Sequence, residues 1–376
     1  MDFRNYTPFP AMAFASVAPK NRRFRTVVLR QTFELRAGAL TLAQAQTSLV
    51  TSDIYYGKPN ESSVRAESDL APYKPRCDVI VCAAAHAPGK RAVPQFDVGV
   101  KLTGTKGSSL LNQRLRVTGA RAFTRSESDW LLGEPEPFTT LALCYEHALG
   151  GECRIKRNDE PMQHASCATN PLGAGFITQW YVDAARPERV TAPRIEALDD
   201  PIGSDGWSAW LSSENAAMPP PMGLGVIGRS WTPRLQLAGT YDDQWLETRH
   251  PGLPDDFDFA YWNGAHPALQ TPHLKGDETL VLTNLVSADH PQACVNAQGD
   301  TELKLPLPGH LPMGLLYTGG GLGHAALNLD TLHVDVTQAI PQVALVWRAA
   351  VLHEAERFEA RFIDNEEKLR MLGRAG

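Results

Sequence analysis

The chain of 376 residues lacks most of what would mark a membrane, secreted or nucleic-acid-binding protein. No apolar run approaches the ~20 residues that a membrane span needs. The opening, MDFRNYTPFPAMAF, has no basic region followed by an apolar core, so no secretory signal is expected. Six cysteines are few for this length, and without such a signal they are expected to be free thiols in a cytoplasmic protein. An excess of positive charge is also missing. The net charge is −6, whereas a phosphate backbone calls for a basic face, so neither nucleic acid nor membrane is expected as a partner.

The motifs of common chemistries are equally scarce. There is no G-x-S-x-G nucleophile elbow. Gly319-Gly320-Gly321-Leu322-Gly323-His324 is glycine-rich but lacks the Gly-Lys-Ser/Thr ending of a phosphate loop, so it reads as a hairpin or loop. Cys144, His147, Cys153, His164 and Cys167 cluster in sequence, yet no short Cys-x-x-Cys spacing pairs them as in zinc sites. Cys77 and Cys82 would lie on opposite faces of a strand. No metal and no cofactor is expected.

What is present is an ordinary globular composition, 43% hydrophobic and 21% charged, at a length that suits one large domain or two smaller ones. One stretch organises the rest, ESDLAPYKPRCDVIVCAAAHAPG from Glu67 to Gly89. Pro72 and Pro75 hold the chain extended there. Both alternating sets that follow, Cys77-Val79-Val81-Ala83 and Ile80-Cys82-Ala84, are apolar, which describes a strand covered on both faces. Charges beside such a strand must be paired, so Asp69, Lys74, Arg76 and Asp78 are expected to form an internal ion-pair network. His86, at the strand's end, is expected to cap or pack, with a catalytic role as the alternative.

Phe24–Leu35, Leu40–Leu42, Phe96–Leu102, Leu115–Val117 and Phe138–Tyr145 read as further strands, giving an N-terminal β unit over 1–145. Over 187–272 the pattern dissolves into eleven prolines and eight glycines. Six of the eight tryptophans nevertheless fall between Trp180 and Trp262, and disordered segments are poor in aromatics. Residues 146–275 are therefore read as an ordered but irregular insertion. Within it Trp207, Trp210, Trp231 and Trp262 are the candidate anchors for a protein partner. Strands return over 276–352: Thr279–Leu285, Leu303–Leu307 with Pro306 marking an edge, Leu332–Val336 and Gln342–Trp347. A helix is expected over 353–376, since Ala355, Phe358, Phe362, Leu369 and Leu372 share a helical face. The fold class is thus mainly β: an antiparallel sandwich or open barrel built from both chain ends, with a Pro/Trp-rich irregular insertion and a C-terminal helix.

Asp242, Asp243, Asp255, Asp256 and Asp258 invite a paired-carboxylate reading, with a hydrolase of a sugar polymer at Asp255–Asp258 as the enzymatic alternative. Asp-rich turns more often cap backbone groups.

The Glu67–Gly89 run, with NYTPFPA (Asn5–Ala11), YEHALGG (Tyr145–Gly151), NPLGAGF (Asn170–Phe176), AGTYDDQW (Ala238–Trp245), LPDDFDF (Leu253–Phe259) and VWR (Val346–Arg348), resembles the bacterial family called domain of unknown function 2169. The order and spacing agree along most of the chain, with departures at His147, Leu149 and Ala174. The motif residues carried over are Asp69, Lys74, Arg76, Asp78, His86, Asn170, Gly173, Trp245, Asp258, Trp347 and Arg348. Members are typically encoded beside type VI secretion effectors and spike proteins. The resemblance implies a non-enzymatic adaptor or chaperone for a secreted effector, with the spike protein as a further partner, and no catalytic residues.

Overall fold

A computed structural model describes residues 1–127, 129–156, 161–212, 218–309 and 311–363. Its main layer is a seven-stranded sheet ordered Ala11–Ala18, Arg22–Arg36, Gln342–Leu352, Asn328–Asp335, Cys77–Cys82 and Gln270–Thr271, with Ala39–Leu42 paired to the second strand. The long Arg22–Arg36 strand binds Gln342–Leu352 along its length, so the two ends of the chain meet in the middle of this sheet. Cys77–Cys82 lies between Asn328–Asp335 and Gln270–Thr271, and all six of its residues are buried, as its two apolar faces require.

The second layer is a six-stranded sheet ordered Ile195–Ala197, Ser109–Thr118, Gln95–Thr103, Thr279–Thr283, Thr301–Pro306 and Cys294–Val295. Its alternate residues Val98, Val100, Leu102, Leu280, Leu282, Leu303 and Leu305 share one core with Val27, Leu29, Val79, Val81, Leu332 and Leu345 of the first sheet. The period of two puts one apolar face of each sheet inward, and the architecture is a β-rich sandwich. Pro306 sits on the free part of its strand, because Cys294–Val295 pairs only with Thr301 and Glu302.

Two expectations are corrected. The sheets are largely antiparallel, but Asn328–Asp335 runs parallel to Cys77–Cys82, and Asp2–Asn5 runs parallel to Arg357–Ile363. The expected C-terminal helix is replaced over Arg357–Ile363 by a strand, which fills the slot between Asp2–Asn5 and Leu311–Thr318. Phe358 and Phe362 satisfy a period of two as well as the helical spacing, and Ala360 joins them only in the period of two. The open edges on both sides decide between the two, burying Phe358 and Ala360 completely. The rest of that helix, with Leu369 and Leu372, lies outside the described residues. The glycine-rich run forms the hairpin between Leu311–Thr318 and Gly321–Ala325, with Gly321 at φ +123°.

The middle of the chain carries three short helices, α1 (Gln179–Ala185), α2 (Ser204–Ser212) and α3 (Asp243–Thr248). A second core of Phe123, Trp130, Leu149, Val182, Ile202 and Trp207 pins the first two. The large rings supply buried area that the irregular backbone cannot gather by periodicity.

Candidate functional site: a buried charge network and a tryptophan-lined groove

The Glu67–Asp78 run carries Glu67, Asp69, Lys74 and Asp78 into the interior. Lys74 Nζ lies 2.8 Å from Asp78 Oδ2 and donates to Thr331 Oγ1 at 3.0 Å. Asp78 also accepts from the Asn263 side chain and from the backbone N–H groups of Gly264 and Ala265, which ties the irregular segment to the main sheet. Burial disfavours the Lys74 charge, but the carboxylates of Asp78, Asp330 and Glu67 outweigh it and hold the ammonium pKa above its ordinary value. Arg30 grips both oxygens of Asp69, at 3.2 and 3.1 Å. Arg348 pairs with Asp330 at 2.6 Å and donates to the carbonyls of Asp69 and Ala71. Glu67 takes Arg229 and Arg234, and Arg229 reaches on to Asp53.

The network therefore sets Arg30, Lys74, Arg229, Arg234 and Arg348 against Asp53, Glu67, Asp69, Asp78 and Asp330, five charges of each sign. Balanced and hydrogen-bonded, it can fix the loops against the sheet. Arg76 is a correction: it is exposed and donates to the Gln270 carbonyl instead of joining the network. Its place is taken by Arg30 and Arg348. Trp347, the neighbour of Arg348, is buried and donates its indole N–H to Gln31 at 2.7 Å. His86 is half-buried at the strand's end, and burial alone pushes its pKa down.

YEHALGG and NPLGAGF interlock. Leu149–Gly150 pairs in parallel with Ala174–Gly175, and buried Asn170 donates to the carbonyls of Tyr145 at 2.8 Å and Leu149 at 3.0 Å. A Cβ on Gly150, at φ +148°, would stand 2.1 Å from the Asn170 carbonyl oxygen, and one on Gly173 would stand 2.5 Å from that of Ala148. Only glycine permits this approach. The chain leaving this knot, Gly175–Thr178, forms the floor of a groove of about 460 Å³.

Its walls are α1, capped by Thr178, and α2, on which Trp207, Trp210 and Leu211 share one face. Trp180, Ile177, Phe176 and Met218 complete the lining. Trp207 is buried: it stacks on Phe123 at 4.2 Å, meets Trp130 edge-on and donates its indole N–H to the Gly175 carbonyl at 2.7 Å. Trp180 and Trp210 are half-buried and offer ring surface to the opening. Of the four candidate anchors, Trp207 and Trp210 meet here. Trp231 is buried against Tyr145, and Trp262 is half-buried beneath Arg229. Trp180 is the groove tryptophan that sequence reasoning did not name among the anchors, and Ile177, Leu211 and Met218 were not singled out either.

A second groove of about 450 Å³ mixes charged and apolar lining, with Arg30, Arg65, His333 and Asp335 beside Leu49, Val50 and Ile54. Arg65 there is paired with Asp335. Cys82 Sγ lies 3.6 Å from His333 Nε2, but Cys82 is fully buried.

The Asp-rich segment forms turns. Asp242 caps α3 on the Trp245 N–H, Asp256 holds Thr240, Asp255 pairs with Arg249, and Asp258 caps Ala260. Trp245 is half-buried and donates to the Gly252 carbonyl. All six cysteines are free thiols. Among the described residues no three Cys, His, Asp or Glu side chains are placed to share a metal ion. No helix among them is long and apolar enough to cross a membrane.

Residues 20–348 match a family described as "Uncharacterized protein conserved in bacteria (DUF2169)". The chain belongs to the DUF2169 family. No curated protein and no solved structure matches it. In this DUF2169 chain the Glu67–Asp78 run builds the buried network, YEHALGG and NPLGAGF build the glycine knot, and the groove opens beside that knot at Gly175–Thr178.

Proposed function

We propose that this DUF2169 protein is a cytoplasmic adaptor that binds a secreted effector of a type VI secretion system, keeps it soluble and helps to load it on the secretion spike. The observation that carries the reading is the groove between α1 and α2. It combines half-buried Trp180 and Trp210 with Met218, Ile177 and Leu211. Tryptophan is the residue most enriched among interface hot spots, and methionine adapts its shape to varied apolar partners. The opening of about 460 Å³ accommodates a few apolar side chains of a partner. The network's charges are balanced, and Asp242, Asp255, Asp256 and Asp258 are engaged in caps, turns and an ion pair, which supports a structural part for them. The encoded neighbourhood of the family that the sequence resembles supplies the partner class.

Co-expression with the product of the adjacent effector gene, followed by size-exclusion chromatography, tests this. The two proteins are expected to co-elute, and the effector to accumulate to a higher level with the adaptor than without it. Separate elution with equal effector levels would remove the adaptor reading. Turnover of a glycan substrate that is lost in an Asp255→Asn variant would replace it with a hydrolase.

A further inference from the structure

The groove leaves a different part of the surface unused. Residues 241–258 hold six carboxylates, Asp242, Asp243, Glu247, Asp255, Asp256 and Asp258, against one arginine, a net charge of −5 in a chain whose total is −6. Most of these have local partners. Asp243 and Glu247 form no ion pair among the described residues, and both are exposed on α3. They stand one helical turn apart, and Leu246 lies beside them at i+3 from Asp243. Leu246 is 57% exposed, and Tyr241, just before the cap, is 54% exposed. The Tyr241 ring meets half-buried Trp245 edge-on at 4.7 Å, and the lobe thus presents exposed Tyr241 and Leu246 near Asp243 and Glu247.

An exposed leucine and tyrosine beside unpaired carboxylates are complementary to one kind of partner. We propose that the α3 lobe docks a basic amphipathic segment of a partner protein, with Lys or Arg against Asp243 and Glu247 and an apolar side chain against Leu246 and Tyr241. The charge excludes an anionic lipid surface or a nucleic acid, since either would be repelled. The lobe shares no residue with the lining of the groove, so it is a second contact with its own chemistry.

The probe is a fluorescent peptide of leucine and lysine at helical spacing, with a leucine–glutamate peptide of the same pattern as its counterpart. Both are titrated against the full chain by anisotropy, at low salt and at ~0.15 M ionic strength, where the Debye length is ~8 Å. The cationic peptide is expected to bind, more weakly at the higher salt, and the anionic one is not. Leu246→Ser combined with Asp243→Asn should weaken binding by about tenfold, less than the loss of a hot spot. Glu247→Lys should weaken it independently. All three positions are exposed, and an unchanged melting curve checks that the variants fold. Equal binding to wild type and variants, equal binding of the anionic peptide, or capture of anionic vesicles would each overturn the proposal. The peptide reports on the lobe alone, so its failure leaves the adaptor reading standing, and failure of co-elution leaves the peptide result standing.

Discussion

Replacing Arg348 by methionine probes the buried network where it is most enclosed. Arg348 is 3% exposed and its partner Asp330 is 1% exposed. The substitution keeps much of the side-chain volume and removes three donated hydrogen bonds, to Asp330 and to the carbonyls of Asp69 and Ala71. Asp330 is left with the Thr331 hydroxyl at 3.1 Å. Breaking one partner of a buried pair costs about 3–5 kcal/mol, chiefly because the other charge stays buried and uncompensated. Unfolding entropy near 60 °C is about 2.1 cal/mol/K per residue, or roughly 0.8 kcal/mol/K for this chain. The melting temperature should therefore fall by about 4–6 °C. Arg76→Ala, at an exposed position, should shift it by less than about 1 °C, the effect of an ordinary surface substitution. Adding Asp330→Leu to Arg348→Met removes the stranded charge and should recover part of the loss. Differential scanning calorimetry reads all three. An unchanged melting temperature for Arg348→Met, or a double variant no more stable than Arg348→Met alone, would refute the claim that this pair is buried and mutually dependent.

Gly150→Ala should reduce soluble yield and thermal stability sharply, because its Cβ would stand 2.1 Å from the Asn170 carbonyl at a φ of +148°; a melting curve like that of the wild type would show that the knot is looser than described. Although burial works against its charge, Asp335 is held below the ordinary carboxylate pKa by the Thr337 hydroxyl and by Arg65. Its contribution to stability is therefore complete above about pH 4 and lost as pH falls through its lowered pKa. Urea midpoints of wild type and Asp335→Asn should converge in acid, and a constant gap would contradict the linkage. Burial pushes the Cys144 thiol up to about 12 and Cys77 well above its ordinary value, while Cys294 is exposed. Mass spectrometry after brief alkylation at pH near 8 should find Cys294 modified first, with all six thiols reactive only after denaturation.

Parts of this architecture are written in short-range pattern. The Cys77–Cys82 strand announces itself because both of its faces are apolar, and Val98-Val100-Leu102 or Leu303-Leu305 because alternate residues are. Lys74 and Asp78 are four residues apart, and their pairing follows from Asp78 lying in a strand covered on both faces. What stays hidden is set by contacts distant in sequence. Arg76 sits among the acids in the chain yet faces solvent, while Arg30 and Arg348, which close the network, arrive on strands from the two ends. The Arg357–Ile363 segment fits both a helix and a strand by pattern, and the neighbouring strand edges decide. Trp207 and Trp210 can be placed on one helical face from their spacing, but nothing local to Trp180 says that α1 stands opposite. The aspartates were legible as turn formers, since Asp242 and Asp258 each precede a helical turn that they cap.

The adaptor reading is tested most directly by the dissociation constant of the complex between this protein and the product of the adjacent effector gene. It should be measured by calorimetric titration for the wild type, for Trp180→Ala with Trp210→Ala, and for Arg76→Ala as a surface control. The two tryptophans are half-buried at the groove while Trp207 stays in the core beneath them, so the double variant should fold. A hot-spot loss of about 2 kcal/mol corresponds to roughly thirtyfold. The reading predicts a wild-type complex weakened at least that much by the double variant and unaffected by Arg76→Ala; no complex at all, or one of equal affinity in all three, would contradict it.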